Sequence, residues 1–243
     1  MWDSETARRY DAWFETPPGA FALTREIRLL ERMTSGWPRR GQRLLEVGCG
    51  TGIFLDVLHG AGFDVAGLDA SPAMLEAARR RMGERADLHL GDGGHLPFDD
   101  NEFDFCVLLT VLEFCPDPGL VLREAARVAR KALLVGYLNR FSCYGLTMRL
   151  FPGHTRGPLR QARWFTPWGM GRLLRTSLGR RPCRTRSVLL GPKASWREAG
   201  PWRQINSAIL SSPVGAFCAA DVCLTDAPIM TPLPAFKAKA CLG

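Results

Sequence analysis

Long apolar runs are missing from this sequence, although 46% of its 243 residues are hydrophobic. No stretch approaches the roughly 20 uninterrupted apolar residues that a membrane-spanning helix needs. The segment from Met1 to Glu5 also lacks the basic-then-apolar order of a secretion signal. We therefore expect a cytoplasmic protein. Its length suits a single α/β domain spanning residues 1–243, because two complete domains would be cramped.

Paired cysteines are missing as well. The chain has eight cysteines, but no two of them have C-x-x-C spacing. A disulfide framework and a zinc site are therefore both poorly supported, and we predict no metal site. Most of the cysteines resemble small buried apolar residues, with Cys49 and Cys106 as examples.

Acidic residues are absent from Asn139 to Arg197. Through Leu138 the chain has 21 acidic residues against 16 Lys and Arg, a net charge of −5; from Asn139 onward it has 3 against 16, a net charge of +13. Aromatic residues interleave with the arginines, so we interpret residues 139–168 as a basic and aromatic insertion on the substrate side. A small anionic substrate, an anionic membrane surface or RNA would suit it, and a solvated basic surface is the equally weighted alternative.

What the sequence does contain is a glycine-rich turn after an apolar strand. The run is Leu44-Leu45-Glu46-Val47-Gly48-Cys49-Gly50-Thr51-Gly52. Its apolar start contains the acid Glu46, and glycines follow at the alternate positions 48, 50 and 52. It predicts a buried strand that leads into a tight turn and a helix, where missing Cβ atoms let a small ligand lie against the backbone. Two further predicted strands end in Asp69 and Asp92. The three strand ends would meet at the carboxyl edge of one parallel sheet, where open α/β sheets bind ligands.

These groups suit a nucleoside attached to a charged amino acid. Asp69 can accept hydrogen bonds from both ribose hydroxyls, and Asp92 can take the exocyclic amine of an adenine. A dinucleotide is disfavoured, because its fingerprint needs a third small residue where Ile53 stands. The alternatives are structural: the glycines would serve only the turn, Asp69 would cap the next helix, and Asp92 would start a turn.

Four motifs between about Tyr10 and Leu138 resemble the class I S-adenosylmethionine-dependent methyltransferases, in particular the type 11 branch typified by quinone-biosynthesis enzymes. The motif acid-x-G-x-G-x-G matches Glu46 to Gly52, and a strand-end acid followed by S-x-x-M matches Asp69 to Met74. G-D-x-x-x-L-P-F matches Gly91 to Phe98, and the fourth strand begins at Phe103-Asp104.

The resemblance implies S-adenosyl-L-methionine as the cofactor and S-adenosyl-L-homocysteine as its product. It implies a Rossmann-like, doubly wound, mostly parallel seven-stranded sheet in three layers, with strand order 3-2-1-4-5-7-6 and the last strand antiparallel. The cofactor-binding residues that it implies are Tyr10, Glu46, Gly48, Cys49, Gly50, Gly52, Asp69, Ala70, Met74, Asp92, Gly93 and Thr110.

Thr110 and Glu113 are the candidate catalytic residues, because the loop after the fourth strand would face the transferring methyl group in the resembled family. That family often has a histidine near Glu113, so a supporting role for this residue stays open. Near-attack geometry can supply much of the acceleration without a dedicated base, whereas an acceptor that must lose a proton needs a base, for which this loop is the expected source. His95 and His154 are further titratable candidates for which a surface position is favoured.

The family also implies a lid. An aromatic segment that matches Tyr10 to Phe14 folds over the bound cofactor there, so we expect residues 1–20 to form an N-terminal lid. The alternative is a hydrophobic staple on the first helix.

We predict an enzyme that transfers a methyl group to a small-molecule acceptor, either anionic or lipophilic. The alternative is a nucleic-acid methyltransferase that uses the basic C-terminal half. We disfavour it because Leu109 to Leu112 replace the N/D-P-P-Y/F/W signature and no RNA-binding module is recognisable.

The sequence patterns predict helices at about 22–33, 52–60, 71–82, 118–129 and 202–210, and a further helix that begins at 166. They also predict later strands at 132–138, 184–190 and 216–224.

Overall fold

The computed structural model describes residues 2–150, 159, 161–200 and 202–225, in which strands and helices alternate. The helices are α1 (Ser4–Glu15), α2 (Pro17–Met33), α3 (Ile53–Gly60), α4 (Pro72–Met82), α5 (Pro118–Val128), α6 (Cys143–Leu150), α7 (Pro167–Leu178) and α8 (Trp202–Ser207). The strands are β1 (Arg43–Val47), β2 (Asp64–Asp69), β3 (Ala86–Leu90), β4 (Phe103–Leu109), β5 (Ala129–Leu138), β6 (Cys183–Val188) and β7 (Phe217–Cys223).

The seven strands form one sheet in the order β3-β2-β1-β4-β5-β7-β6. β1 to β5 pair in parallel, whereas β7 is antiparallel to both β5 and β6. The fold class and strand order predicted from the sequence are therefore confirmed.

Four helices begin in the same way, with a polar cap followed directly by proline. The cap side chains Thr16, Ser71, Asp117 and Thr166 each accept a hydrogen bond from an amide of the first turn of α2, α4, α5 and α7. The Thr16-Pro17 pair explains why α2 begins at Pro17, whereas the sequence interpretation placed its start at residue 22, which was too late.

Four other boundaries also differ from expectation. β3 ends at Leu90, so the prediction that Asp92 ends this strand was wrong: Asp92 lies two residues further on, where its Oδ1 accepts from the Gly94 amide of a turn. β5 begins at Ala129, three residues before the predicted start at 132, because its first residues already pair with β4. α8 ends at Ser207 instead of 210, and Leu210 forms a β-bridge with Ser187. β6 ends at Val188, because Leu189 has a φ of +65°, which breaks the extended backbone.

Helices cover both faces of the sheet, so the protein has three layers. Successive residues of β1 and β4 point to opposite faces, as strand geometry requires: Leu44 and Val107 belong to one buried apolar cluster, Leu45 and Leu108 to the other. The first cluster contains α2 and α3, and the second contains α5 and α7. Within the described residues, no helix is both long enough and apolar enough to cross a membrane.

The parallel register brings four strand ends to one edge. Val47 lies opposite Leu68 and Leu108, and Leu108 lies opposite Val135. The chain segments that leave β1, β2, β4 and β5 therefore begin side by side, and they carry most of the site residues predicted from the sequence.

Candidate functional site

The glycine turn after β1 has a backbone that needs glycine at three positions. Gly48, Gly50 and Gly52 have φ values of +70°, +54° and +80°. The amides of Gly48 and Cys49 both donate to the carbonyl oxygen of Leu68, at 2.6 and 3.1 Å, which fixes the turn against β2.

The three glycines differ in what surrounds them. A Cβ atom added at Gly48 would lie 2.4 Å from Cγ2 of Val111, whereas one added at Gly50 would meet no atom within 4 Å. Gly48 is thus required by packing against the loop after β4. Gly50 instead exposes bare backbone to open space, where a ligand can approach it closely.

Asp69, at the end of β2, is joined to this turn. Its Oδ2 accepts a hydrogen bond from the Gly50 amide at 2.9 Å, and its Oδ1 accepts one from the Ser71 amide at 2.8 Å. Burial raises the pKa of Asp69, although these hydrogen bonds oppose the shift. A carboxylate has about four acceptor sites, and the backbone of Gly50, Ser71 and Ala70 uses at most three, so Asp69 can still accept a hydrogen bond from a bound hydroxyl group. Ser71 itself caps α4, which confirms the sequence argument that Asp69 is not needed as the cap.

Glu46 lies beneath the turn and is only 2% exposed. No described residue forms a hydrogen bond with its Oε2 atom. Burial and the neighbouring Asp69 raise the pKa of Glu46 well above its ordinary value. A buried carboxylate oxygen without a partner is costly, so this atom is suited to a donor that a ligand brings.

The remaining predicted cofactor residues near the turn differ in how far they are buried. Cys49 and Met74 are buried, and Cys49 belongs to the apolar cluster on the α2 side. Ala70 is exposed where β2 ends, and Asp92 is exposed with its Oδ1 accepting from the Gly94 amide at 2.9 Å. A Cβ atom at Gly93 would lie 3.0 Å from Val47. Asp92 thus stabilises a turn, as the structural alternative predicted, and its exposed side chain is also accessible to a ligand.

The loop after β4 carries the two candidate catalytic residues. Thr110 has a φ of +56°, which is strained for a residue with a branched side chain, and its amide donates to the Gly136 carbonyl at 2.9 Å. Glu113 is 2% exposed, and its Oε1 accepts from the Leu138 amide at 2.7 Å.

The other oxygen of Glu113, Oε2, has no hydrogen-bond partner among the described residues. Burial raises the pKa of Glu113 to about 7, although the Leu138 bond opposes the shift. Glu113 therefore ties the β4 loop to the end of β5 and does not cap the helix that follows. Its catalytic role stays a prediction.

Helix α1 and Trp2, which lies just before it, contact the segments that follow β1, β2 and β4. The ring of Trp2 packs edge-on against Phe114 at 5.1 Å and against Tyr10 at 6.3 Å, and Tyr10 packs against Phe14 at 5.1 Å. The Trp2 carbonyl accepts a hydrogen bond from the Ser71 hydroxyl at 2.5 Å. Burial raises the pKa of Tyr10, and the nearby carboxylates of Glu26, Glu46 and Asp69 raise it further, which indicates that its hydroxyl lies among the acidic groups of the site.

Asp11 fastens α1 to the glycine turn. Its Oδ1 accepts from the Thr51 hydroxyl at 2.6 Å, and its Oδ2 pairs with the guanidinium of Arg81 at 3.0 Å. Arg81 also donates to the Thr51 carbonyl at 2.9 Å. We call Asp11, Thr51 and Arg81 the latch, because they join α1, the turn and α4. No sequence pattern indicated these contacts, since Asp11 and Arg81 are 70 positions apart.

Glu26 on α2 is a second residue that the sequence analysis missed. It lies on the stripe of α2 that also contains the buried Ala22, Leu29 and Leu30, and no described residue forms an ion pair with it. Burial raises the pKa of Glu26 to about 7. Its charge also raises the pKa of Tyr10 and that of Tyr144 on α6, so Glu26 lies near both. A carboxylate within an apolar helical stripe was the available signal.

The basic insertion is described only in part. Residues 151–158 and 160 lie outside the described residues, and His154 is among them. Arg140, Arg149 and Arg163 are all exposed, as is His95. Among the residues that the structure does describe, no group of three or more His, Cys, Asp or Glu side chains is arranged to hold a metal ion.

Comparisons with known proteins agree with this geometry. A family model described as a methyltransferase domain matches residues 45–134. The chain is similar to a malonyl-[acyl-carrier protein] O-methyltransferase of Serratia marcescens, with 39% identity over 52% of this chain and 46% of that protein. It is also similar to a phosphatidylethanolamine N-methyltransferase of Cereibacter sphaeroides, with 38% identity over 42% of this chain and 53% of that protein.

A solved structure of a SAM-dependent methyltransferase from Thermotoga maritima has a similar fold, with a TM-score of 0.72 and 24% identity. The match covers 91% of this chain and 97% of that one. The chain spans about half the length of the curated relatives named above.

Proposed function

Because the chain carries a methyltransferase domain of the type 11 family of class I S-adenosylmethionine-dependent enzymes over residues 45–134, we propose that it transfers a methyl group from S-adenosylmethionine to a small-molecule acceptor. The observation that carries this proposal is the join between Asp69 and the glycine turn. One carboxylate holds the Gly50 amide while the adjacent backbone stays bare. We treat residues 1–243 as one methyltransferase domain, with residues 1–20 as its lid and 139–168 as its substrate-side insertion.

The residues present fit the cofactor. Asp69 would accept hydrogen bonds from the two ribose hydroxyls, and the backbone from Gly48 to Gly52 would contact the methionine part. Glu46 Oε2, which lacks a partner among the described residues, would accept a hydrogen bond from the amino group, directly or through water. Ala70, Met74, Asp92 and Gly93 would line the adenine side. The cofactor is positively charged at its sulfonium and amino groups, and these carboxylates match that charge.

Tyr10 would close the site. It already lies among the acidic groups, and the latch keeps its helix against the turn. A closed lid excludes water, which strengthens the electrostatic interactions inside and protects the reactive methyl group.

When bound, S-adenosylmethionine supplies an electrophilic methyl group on a sulfonium. The protein's own contribution is to hold the acceptor atom in line with that methyl group, and such positioning can supply much of the acceleration. Thr110, at the end of β4, would contact the reacting groups. Glu113, with a pKa of about 7, would take a proton from the acceptor where the acceptor must lose one.

The interior of the site favours a small acceptor over a nucleic acid. The segments that form the site carry four carboxyl groups, those of Glu26, Glu46, Asp69 and Glu113, and none of them forms an ion pair with a described residue. Burial raises the pKa of all four groups; a cationic ligand favours their charged forms, whereas a polyanion brings no such positive charge. An anionic acceptor of small size would have to contact the exposed arginines at the rim, and a lipophilic one would use the aromatic side chains.

Calorimetric titration with S-adenosylhomocysteine tests the binding site. Asp69→Asn keeps the shape of the side chain but removes its charge, so we expect binding to weaken at least about tenfold, since hydrogen bonds to charged groups contribute about 1.5–3 kcal/mol each. Asp64→Asn, at the exposed opposite end of β2, is the matched control and should bind as the wild type does. Absence of heat with the wild type would overturn the proposal.

A screen with labelled methyl donor then tests transfer. Wild-type protein should label a low-mass component of a metabolite or lipid extract, and Asp69→Asn should not at the same donor concentration. Label found in RNA instead would support the nucleic-acid alternative.

A further inference from the structure

Large apolar side chains are exposed together on α6 and at the start of α7. Phe141, Leu146, Leu150 and Trp168 are 49%, 41%, 71% and 75% exposed. The rings of Phe141 and Trp168 lie 5.7 Å apart, which brings the segment before α6 next to the first turn of α7. Leu146 and Leu150 are four residues apart on α6 and therefore share one side of it. Exposed large apolar side chains grouped on neighbouring segments in this way mark a contact site. We call these four residues the outer patch.

The outer patch is surrounded by positive charge. Arg140 and Arg149 are exposed beside Phe141 and Leu150, and Arg172 is exposed one helical turn after Trp168. None of these three arginines forms an ion pair with a described residue, and the sequence has no acidic residue from 139 to 197. The arginine charge is therefore uncompensated locally, and a partner that covers the patch must be both apolar and anionic.

We propose that the outer patch docks the protein onto an anionic lipid membrane. Leucine, phenylalanine and tryptophan flanked by arginine is the composition of helices that lie in the membrane interface. Acidic headgroups would receive the arginines, and the acyl-chain boundary would receive the four apolar side chains. RNA satisfies the charge and could stack bases on Phe141 and Trp168, but it leaves Leu146 and Leu150 without an apolar partner, which a membrane supplies.

Helix α6 connects this surface with the site. Its inner side carries the buried Tyr144, which packs against Trp196 at 4.9 Å and Trp164 at 5.5 Å and lies near Glu26. Its outer side carries Leu146 and Leu150. Docking would place the acceptor side of the site at the membrane surface, within reach of a lipophilic acceptor. This last step rests on the proposed function, whereas the docking itself does not.

Cosedimentation of the whole protein with vesicles tests the docking. We expect binding to vesicles made of equal parts phosphatidylcholine and phosphatidylglycerol, weak binding to phosphatidylcholine alone, and release at high salt. The double variant Phe141→Ser with Trp168→Ser should reduce partitioning at least about tenfold. Arg172→Gln should reduce it about fivefold.

Two matched controls lie far from the outer patch. Leu90→Ser removes a 57% exposed apolar side chain from β3 at the opposite edge of the sheet, and Arg79→Gln removes an exposed arginine from α4. Both should bind vesicles as the wild type does. All variants should keep wild-type affinity for S-adenosylhomocysteine, which separates a failure of docking from a failure of the proposed function and shows that the variants fold.

Tryptophan fluorescence gives a second readout. Insertion of Trp168 should shift the emission of the wild type to shorter wavelength on addition of anionic vesicles. Trp168→Phe should lose most of that shift while it still sediments with them. The proposal is overturned by equal binding to both vesicle types, by patch variants that bind as well as the controls, by no binding at low salt, or by binding to a single-stranded RNA without binding to vesicles.

Discussion

The interior of the site and the outer patch carry unpaired ionisable groups of opposite kind, carboxyl groups inside and arginines outside. Inside, the carboxyl groups of Glu26, Glu46, Asp69 and Glu113 have no arginine or lysine partner among the described residues. Outside, exposed arginines surround an apolar surface with no acidic neighbour in sequence. The formal net charge of +8 conceals this separation. The difference indicates two kinds of partner: a cationic, water-excluded ligand within the sheet edge and an extended anionic surface beyond it.

Among substitutions in the interior of the site, we expect the largest loss of stability at Gly48. Gly48→Ala places a Cβ atom 2.4 Å from Val111 at a positive φ, so we expect it to lower the free energy of unfolding by about 3 kcal/mol. Gly50→Ala adds its Cβ atom to open space and should cost only about 1 kcal/mol in backbone strain. Urea denaturation distinguishes the two.

Comparison of Gly48→Ala with Gly50→Ala also tests where the ligand binds. Despite its small effect on stability, Gly50→Ala should weaken the binding of S-adenosylhomocysteine, because the new methyl group occupies the bare backbone surface. Unchanged affinity would place the ligand elsewhere.

A change of pH should act on the interior and leave the outer patch unaffected. The folded-state pKa of Glu113 is about 7, above its ordinary value of 4.5, so the folded protein retains a proton that the unfolded chain loses. The unfolding free energy should therefore fall as pH rises from about 4.5 to above 7, by up to about 3 kcal/mol from this residue.

Glu113→Gln should have a flatter dependence of stability on pH in denaturation experiments. Glu84→Gln, at an exposed position, should keep the wild-type dependence. Parallel curves for Glu113→Gln and the wild type would contradict the assignment of this titration to Glu113.

The latch should have a smaller effect, mainly on binding. Arg81→Gln breaks the contacts to Asp11 and to the Thr51 carbonyl, and we expect affinity for S-adenosylhomocysteine to fall about tenfold because α1 is no longer held in place. Stability should change by no more than about 1 kcal/mol, since the pair is one-third exposed. Arg80→Gln, which removes only an exposed pair with Glu76, is the calorimetric control. Equal affinities for the two variants would argue against a lid.

The smallest effect is expected at the outer patch. Arg172→Gln should leave both S-adenosylhomocysteine affinity and stability within about 0.5 kcal/mol of the wild type, because the side chain is exposed and has no ion-pair partner among the described residues. A larger loss of cofactor affinity in calorimetry would mean that the interior and the outer patch are not separate.

Local patterns accounted for the parts of the fold that depend on local physics. The alternating glycines, the acid Asp69 at the end of β2 and the Ser71-Pro72 cap each act within a few residues, so their positions in the sheet edge could be predicted. The start of α2 was predictable by the same reasoning, since Thr16-Pro17 repeats the pattern of Thr166-Pro167.

Long-range contacts could not be predicted in the same way. The latch joins residues 40 and 70 positions apart, and the bond from Glu113 to the Leu138 amide joins two different strand ends. Which carboxylates lack a partner depends on how the helices pack, and one sequence does not specify that. The arginine excess was visible in the sequence, but its exposure beside Phe141 and Trp168 became evident only in the structure.

The latch also has a kinetic consequence. Asp11 engages Thr51 and Arg81 at once, so α1 cannot leave the glycine turn until both contacts break. If α1 is the lid that we propose, we expect its departure to be a unimolecular event that precedes entry of the nucleoside. In stopped-flow mixing, the observed association rate should reach a plateau at high S-adenosylhomocysteine concentration, and that plateau would measure how often the helix opens.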